Sequence, residues 1–233
     1  MKNLCFALKQ VVPIIPSVFF VGLAFGILLQ TAGYPAIWSF LSGVFIYAGS
    51  MQIVMVSLLK AGTSLYLMAI MTLFINARHI FYGIALVEKY RRNGWKWTYL
   101  AMTLTDETYS VLCSMQCPAD LDEDKIIFQI STVGHLIWIF SCTLGSLLRQ
   151  SIPFDMAGID FSATAFFTVV AVNQWGQYKS HIPAITGLVS ALVFYLLLGA
   201  NHFILPSLSV SLLALILMKT PILKKTGGIP HAN

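Results

Sequence analysis

The chain has 233 residues, of which 58% are hydrophobic and 10% charged, and its mean hydropathy is +0.80. A soluble domain carries roughly 25% charged residues, so composition excludes water as the main solvent. The formal net charge of +5 does not argue for a nucleic-acid partner. The bases gather at Lys2 and Lys9, from Lys89 to Lys96 and from Lys219 to Lys225, between nearly uncharged apolar runs, and so read as cytoplasmic anchors.

A membrane-spanning helix needs about 20 predominantly apolar residues. In chain order the candidates are Val11 to Gly33, Ala36 to Leu59, Thr63 to Val87 and Tyr99 to Met115. After the acidic connection from Asp120 to Asp124 come Ile127 to Leu148, Phe154 to Gln174, Ile182 to Ala200 and Phe203 to Met218. The first run is too long for a signal peptide and lacks a small-residue cleavage site, so it reads as a retained helix. Cys5, Cys113, Cys117 and Cys142 lie in or beside apolar segments without metal-ligand spacing, so they read as structural thiols and no metal site is expected.

Eight full crossings cannot put all three basic groups on the cytoplasmic side. The second stretch of each half is the best candidate for not crossing. Ala36 to Leu59 is interrupted by Gly43 and by Ala48-Gly49-Ser50, and Phe154 to Gln174 carries Asp155, Gly158 and Asp160. If both are broken or re-entrant, both termini and the basic loop are cytoplasmic and the acidic connection lies outside. The expected fold is therefore an all-α polytopic membrane protein with about six full transmembrane helices and two broken or re-entrant segments. It forms a single transport domain over residues 1–233, whose halves, about 11–115 and 127–218, make an inverted repeat.

Arg78 stands within the third stretch, and an ionised side chain at a helix centre costs roughly 2.5 to 3.5 kcal/mol on insertion scales, so it needs a partner or a cavity. The fourth stretch supplies one. Thr103, Asp106, Glu107 and Ser110 recur at helical spacing on one face, and Asp106 lies as far beyond the basic loop as Arg78 lies before it. The pair reads either as a functional site or as an ion pair that only joins two helices. Gly49, Ser50 and Gln52 mark a second distinctive stretch. A helix break there frees amides that suit a carboxylate and carbonyls that suit an ammonium, while tight packing of small residues is the alternative. Asn76 flanks Arg78, and His79 beside it is the better candidate for proton coupling. His135 reads as a hydrogen-bonded bundle residue, with proton carriage as the alternative. Asp160, Asn173 and Gln174 read as interfacial caps.

Pro16 with Gly22 and Gly26, Ala48-Gly49-Ser50-Met51-Gln52, Asn76-Ala77-Arg78-His79 followed by Tyr82-Gly83, and Thr105-Asp106-Glu107 together resemble the AzlC family. These are the larger subunits of two-component branched-chain amino acid exporters, and the likeness runs from about Pro13 to Met218. The resemblance implies efflux of valine, leucine, isoleucine or similar amino acids across a bacterial inner membrane, with a small hydrophobic AzlD-type partner subunit. The family often has another small residue after Gly49, where this chain has Ser50 and Met51, a difference that bears on substrate identity.

The combined expectation is a substrate near the midplane, its carboxylate by Arg78 or freed amides and its ammonium by Asp106 or Glu107. Phe19, Phe45 and Phe81 stand as candidate walls, with packing as the commoner role of such residues. No P-loop is present, which favours secondary, proton-coupled transport without a cofactor. The alternatives are a passive channel for small polar solutes and a structural membrane subunit. An intramembrane enzyme using Asp106, Glu107 and His79 lacks a nucleophile motif.

Overall fold

A computed structural model describes residues 2–151, 168, 171–172, 175–176, 181–199 and 203–218. The regular structure among them is helical, and the chain divides into two compact units, Met1–Ala163 and Thr164–Asn233.

Two long helices frame the first unit. α1 (Lys2–Val11) continues through a 3-10 turn at Val12–Ile14 into α2 (Ile15–Thr31), so that Lys2–Thr31 forms one apolar span of 30 residues. The other frame helix, numbered α9 in chain order (Glu123–Ser151), is 29 residues long, or roughly 43 Å at the α-helical rise. Asp122 caps it by accepting from the Lys125 amide at 3.1 Å. Glu123 and Asp124 open it and Arg149 closes it, complementing the helix dipole.

These spans run parallel and in register. The Asp122 amide donates to Asn3 Oδ1 at 3.5 Å across a separation of 119 residues, and Ser146 Oγ donates to Gln30 Oε1 at 2.9 Å across 116. Between those points the backbones approach closely. A Cβ on Gly26 would collide with the Cys142 carbonyl, and one on Gly145 with the Leu23 carbonyl, so only glycine fits either position. Phe25 stacks on Trp138 in the same seam.

The intervening chain is α3 (Ala36–Phe45), α4 (Gly49–Lys60), α5 (Leu65–Asn76), α6 (Arg78–Arg91), α7 (Trp97–Met102) and α8 (Asp106–Ser114). Its path follows from a few contacts. Lys89 and Arg92 pair with Glu123 at 2.9 and 2.6 Å, so α6 ends where α9 begins, beside Asn3. The stretch from 93 to 122 thus leaves this end and returns to it, which makes α7 and α8 a re-entrant hairpin. α5 and α6 are bent by 49° at Ala77 but keep one general direction, so α5 starts at the opposite end. The short turn containing Gly62, at φ +63°, brings Lys60 to that opposite end too. α4 begins near Arg78, which bonds Ser50, and α3 begins just beyond Thr31. α3 and α4 are therefore a second re-entrant hairpin, inserted from the far side.

Several sequence expectations change here. Tyr99 to Met115 does not cross, because Thr103-Leu104-Thr105 reverses it. Thr63 to Val87 is broken before Arg78. The acidic connection lies against the basic loop and not across the membrane from it. Counting charge clusters separately missed that Glu123 is neutralised by Lys89 and Arg92, and acids carry little weight in orientation. Among the described residues two helices are long and apolar enough to cross, or three if the bent α5–α6 pair is one span. The inverted pattern appears within the first unit, as a crossing followed by a re-entrant hairpin, repeated in the opposite sense. The expected break between Phe154 and Gln174 lies outside the described residues.

In the second unit α10 (Ile182–Leu198) packs on α11 (Ile204–Leu217), and Ser190 Oγ donates to the Ser207 carbonyl at 2.8 Å. Leu188, Leu196 and Leu197 are exposed, as suits contact with lipid.

Candidate functional site

The first hairpin tip is Ile46-Tyr47-Ala48. Tyr47 has φ +38°, an uncommon conformation for a bulky residue, and its buried ring packs on His135 and Trp138 at centroid distances of 4.8 and 5.9 Å. Burying that ring offsets the local strain. The Ala48 amide donates to Gln52 Oε1 at 2.9 Å, so the wholly buried Gln52 caps its own helix. Gly43 does not interrupt the chain as the sequence suggested. α3 runs through it, and the missing side chain lets α3 lie on Ile139.

The second tip, Thr103-Leu104-Thr105, is built differently. The buried Thr103 hydroxyl turns back to the Tyr99 carbonyl at 2.9 Å and closes α7. Thr105 is the N-cap of α8 and accepts from the Thr108 amide at 3.3 Å. Thr103 is therefore not on one helical face with Asp106, Glu107 and Ser110. Asp106 and Glu107 fill the first turn of α8, where carboxylates are favoured by the exposed amides.

Arg78 lies between the tips at the start of α6. Its guanidinium pairs with Asp106 and donates to Ser50 Oγ at 2.7 Å, the two charged side chains being 31% and 35% exposed. The Arg78–Asp106 pairing expected from the sequence is thus present, and Ser50 joins it. Arg78 is 14 residues before Arg92 and His135 is 12 after Glu123. Both are therefore roughly 20 Å from the basic end, near mid-membrane.

Four polar atoms here, Gln52 Nε2, Asn76 Oδ1, Arg78 Nε and Asp106 Oδ1, are buried without a hydrogen-bond partner among the described residues. Unpaired buried polar groups cost stability, and their clustering marks a place where a ligand or water completes the bonding. His79 Nδ1 donates to the Asn76 carbonyl at 3.1 Å, which leaves Nε2 as its exchangeable nitrogen. Glu107 lies near the Tyr47 phenol. A Cβ built on Gly49 would meet the Trp138 ring edge at 3.6 Å, an ordinary contact.

The sequence reading of His135 as a hydrogen-bonded bundle residue is borne out, and its partners bind both hairpins to the scaffold. His135 Nε2 donates to the Gly43 carbonyl at 3.1 Å, and Nδ1 accepts from the Tyr99 hydroxyl at 3.1 Å. One imidazole on α9 therefore holds α3 and α7 together. A polar ring at the centre of an apolar span was the available signal, but its partners were not legible. Phe45 and Phe81 are strongly exposed on the outer surface and are not walls of this centre.

Opposed re-entrant hairpins meeting at an intramembrane ion pair, within a frame of spanning helices, define a polytopic membrane protein of the transport class. The comparisons agree. A family model described as "AzlC protein" matches residues 13–152, which include both tips, Arg78 and Asp106. The "Branched-chain amino acid transport protein AzlC" of Bacillus subtilis is 33% identical over 94% of this chain and 86% of its own length. An "Uncharacterized membrane protein" of Haemophilus influenzae is 37% identical over 84% of this chain and 81% of its own. Another from Helicobacter pylori is 34% identical over 91% and 93%. The chain belongs to the AzlC family, a family of membrane transport proteins. No solved structure matches it.

Proposed function

We propose that the chain is the large subunit of a secondary transporter that exports branched-chain amino acids across the bacterial inner membrane. The observation that carries this reading is Arg78 held between two hairpin tips of opposite electrostatic character, amid four unpaired polar atoms. At the first tip, the start of α4 offers the amides of Gly49 and Ser50 with no acid in its first turn, which favours a carboxylate. At the second, Asp106 and Glu107 favour an ammonium. A zwitterion fits between them, taking up the free valences of Gln52, Asn76, Arg78 and Asp106.

Proton coupling has a charge argument. Asp106 and Glu107 against Arg78 leave one negative charge in excess, and a proton on this cluster or on His79 removes it before the site reorients. The end that carries Lys2, Lys9, Lys89, Arg91, Arg92, Lys96 and Lys125 is cytoplasmic by the positive-inside rule, so the N-terminus is inside. On this reading residues 1–233 work as one transport domain. The B. subtilis relative's name and the family resemblance support the substrate class and a small AzlD-type partner.

Counterflow of labelled valine in membrane vesicles tests the site. The wild-type protein shows saturable exchange, and Asp106→Asn or Arg78→Ala abolishes it while the protein remains folded. Wild-type rates in both variants would sink the assignment, and flux that fails to saturate would make the protein a channel.

A further inference from the structure

A cavity of about 460 Å³ lies between α6 and α7, separate from the contacts of Arg78. Its inner end is bounded by His79 and Leu104, one residue from Arg78 and two from Asp106, and its outer end by Arg91 and Trp97 at the basic end of the unit. The volume falls within the roughly 300–1,000 Å³ of small-molecule sites. The lining is mainly apolar, with polar groups concentrated at the ends. Tyr90 is only 5% exposed, and its hydroxyl has no partner among the described residues. Arg91 at one end of an apolar cavity is a donor for a carboxylate that carries an apolar tail.

Gly83 sits midway along the α6 wall. A Cβ built there meets no atom within 4 Å, so the absent side chain leaves the space open and is not demanded by packing. We infer that this cavity is a second substrate subsite, a waiting site on the cytoplasmic side for an amino acid with a branched apolar side chain. The Arg91 guanidinium holds the carboxylate, Val87 and Leu104 take the side chain, and the ammonium stays hydrated at the mouth. This rests on the transport reading above, and it adds a site that the Arg78 centre does not require.

Equilibrium binding of tritiated leucine to the purified full-length chain tests it. The wild type binds two leucines per chain. Gly83→Leu fills the cavity in a helix that favours leucine over glycine and binds one. Ala101→Leu fills the same space from α7 and also binds one, so the test stands if either variant folds, as judged by its melting temperature. Arg78→Ala retains the cavity leucine alone. A wild type that binds only one leucine, or cavity-filled variants that still bind two, would overturn the subsite while leaving the central reading in place. Loss of one leucine in Gly83→Leu with no loss in Arg78→Ala would support the subsite and sink the central site. No binding by any form defeats both. A phospholipid that co-purifies with the wild type and not with Gly83→Leu would show the cavity to be an acyl-chain site and overturn the proposal.

Discussion

The two re-entrant hairpins reach the same depth from opposite sides, yet they are built on different principles. α3–α4 is laid along the scaffold. Gly43 permits close approach to α9, Tyr47 stacks on His135, and the tip is capped by a buried glutamine of its own helix. α7–α8 is instead held by an apolar core, in which Leu100, Leu104, Val111, Leu112 and Met115 cluster with Ile126, Ile127 and Ile130 of α9, while the Tyr99 hydroxyl bonds His135 and a cavity lies along one side of α7. Its tip is capped conventionally by Thr105 and carries two carboxylates. One hairpin presents uncompensated amides, and the other presents acids. Arg78 belongs to neither and is bonded to both.

That comparison can be broken in order of effect. The largest change comes from the scaffold beneath both hairpins. Gly145→Val drives a side chain into the Leu23 carbonyl and should cost on the order of 3 kcal/mol or prevent accumulation. Thermal unfolding in detergent measures it, and a wild-type melting temperature would show that the two spans are not in close contact. Next, His135→Ala orphans the Gly43 carbonyl and the Tyr99 hydroxyl together, with an expected loss of about 1–3 kcal/mol. Hydrogen exchange should then rise at both tips. Unchanged protection at either tip would show that the imidazole does not hold that hairpin.

The caps separate the hairpins more finely. Thr105→Ala removes an ordinary N-cap and should cost about 0.5–2 kcal/mol with transport reduced but retained. Gln52→Ala removes both a cap and an unpaired site atom, and should raise the KM for valine more than Thr105→Ala does. Matching KM values would argue that the amide-rich tip does not touch substrate. The smallest effect concerns Asp122 at the start of α9. The side chain of Lys125, and then its amide, hold the Asp122 carboxyl below the usual aspartate range. A depressed folded-state pKa stabilises above the ordinary aspartate value, and the contribution is lost as pH falls through the lowered value. Asp122→Asn should therefore melt slightly below the wild type at neutral pH, and the two curves should converge on acidification. The group is exposed, so salt should shrink the gap.

Much of the centre was legible as local pattern. Arg78 and Asp106 announced themselves because a charge at that depth needs a partner and the distances from the basic loop are equal. The Gly49-Ser50 stretch announced a break because small and polar residues interrupt an apolar run. Thr103-Leu104-Thr105 was misread for the opposite reason. Thr103, Asp106, Glu107 and Ser110 at helical spacing look like one polar face, and only burial of the Thr103 hydroxyl on Tyr99 shows that the helix ends there. The acidic connection was assigned to the wrong side because its neutralising partners, Lys89 and Arg92, lie 31 or more residues earlier in the chain.

Composition and segment length by themselves determined that this is a helical membrane protein, since hydrophobic burial in lipid depends on local runs of apolar residues. Motif content determined its family, because the glycine, arginine and acid positions are readable one by one. The direction in which each segment turns was decided only by tertiary structure. Whether a short apolar helix crosses or returns depends on what holds its ends, and those holds are the Arg92–Glu123 pair, the Arg78–Ser50 bond and the two bonds of His135. Each joins residues far apart in the chain, and the periodicity of a single helix contains no record of them.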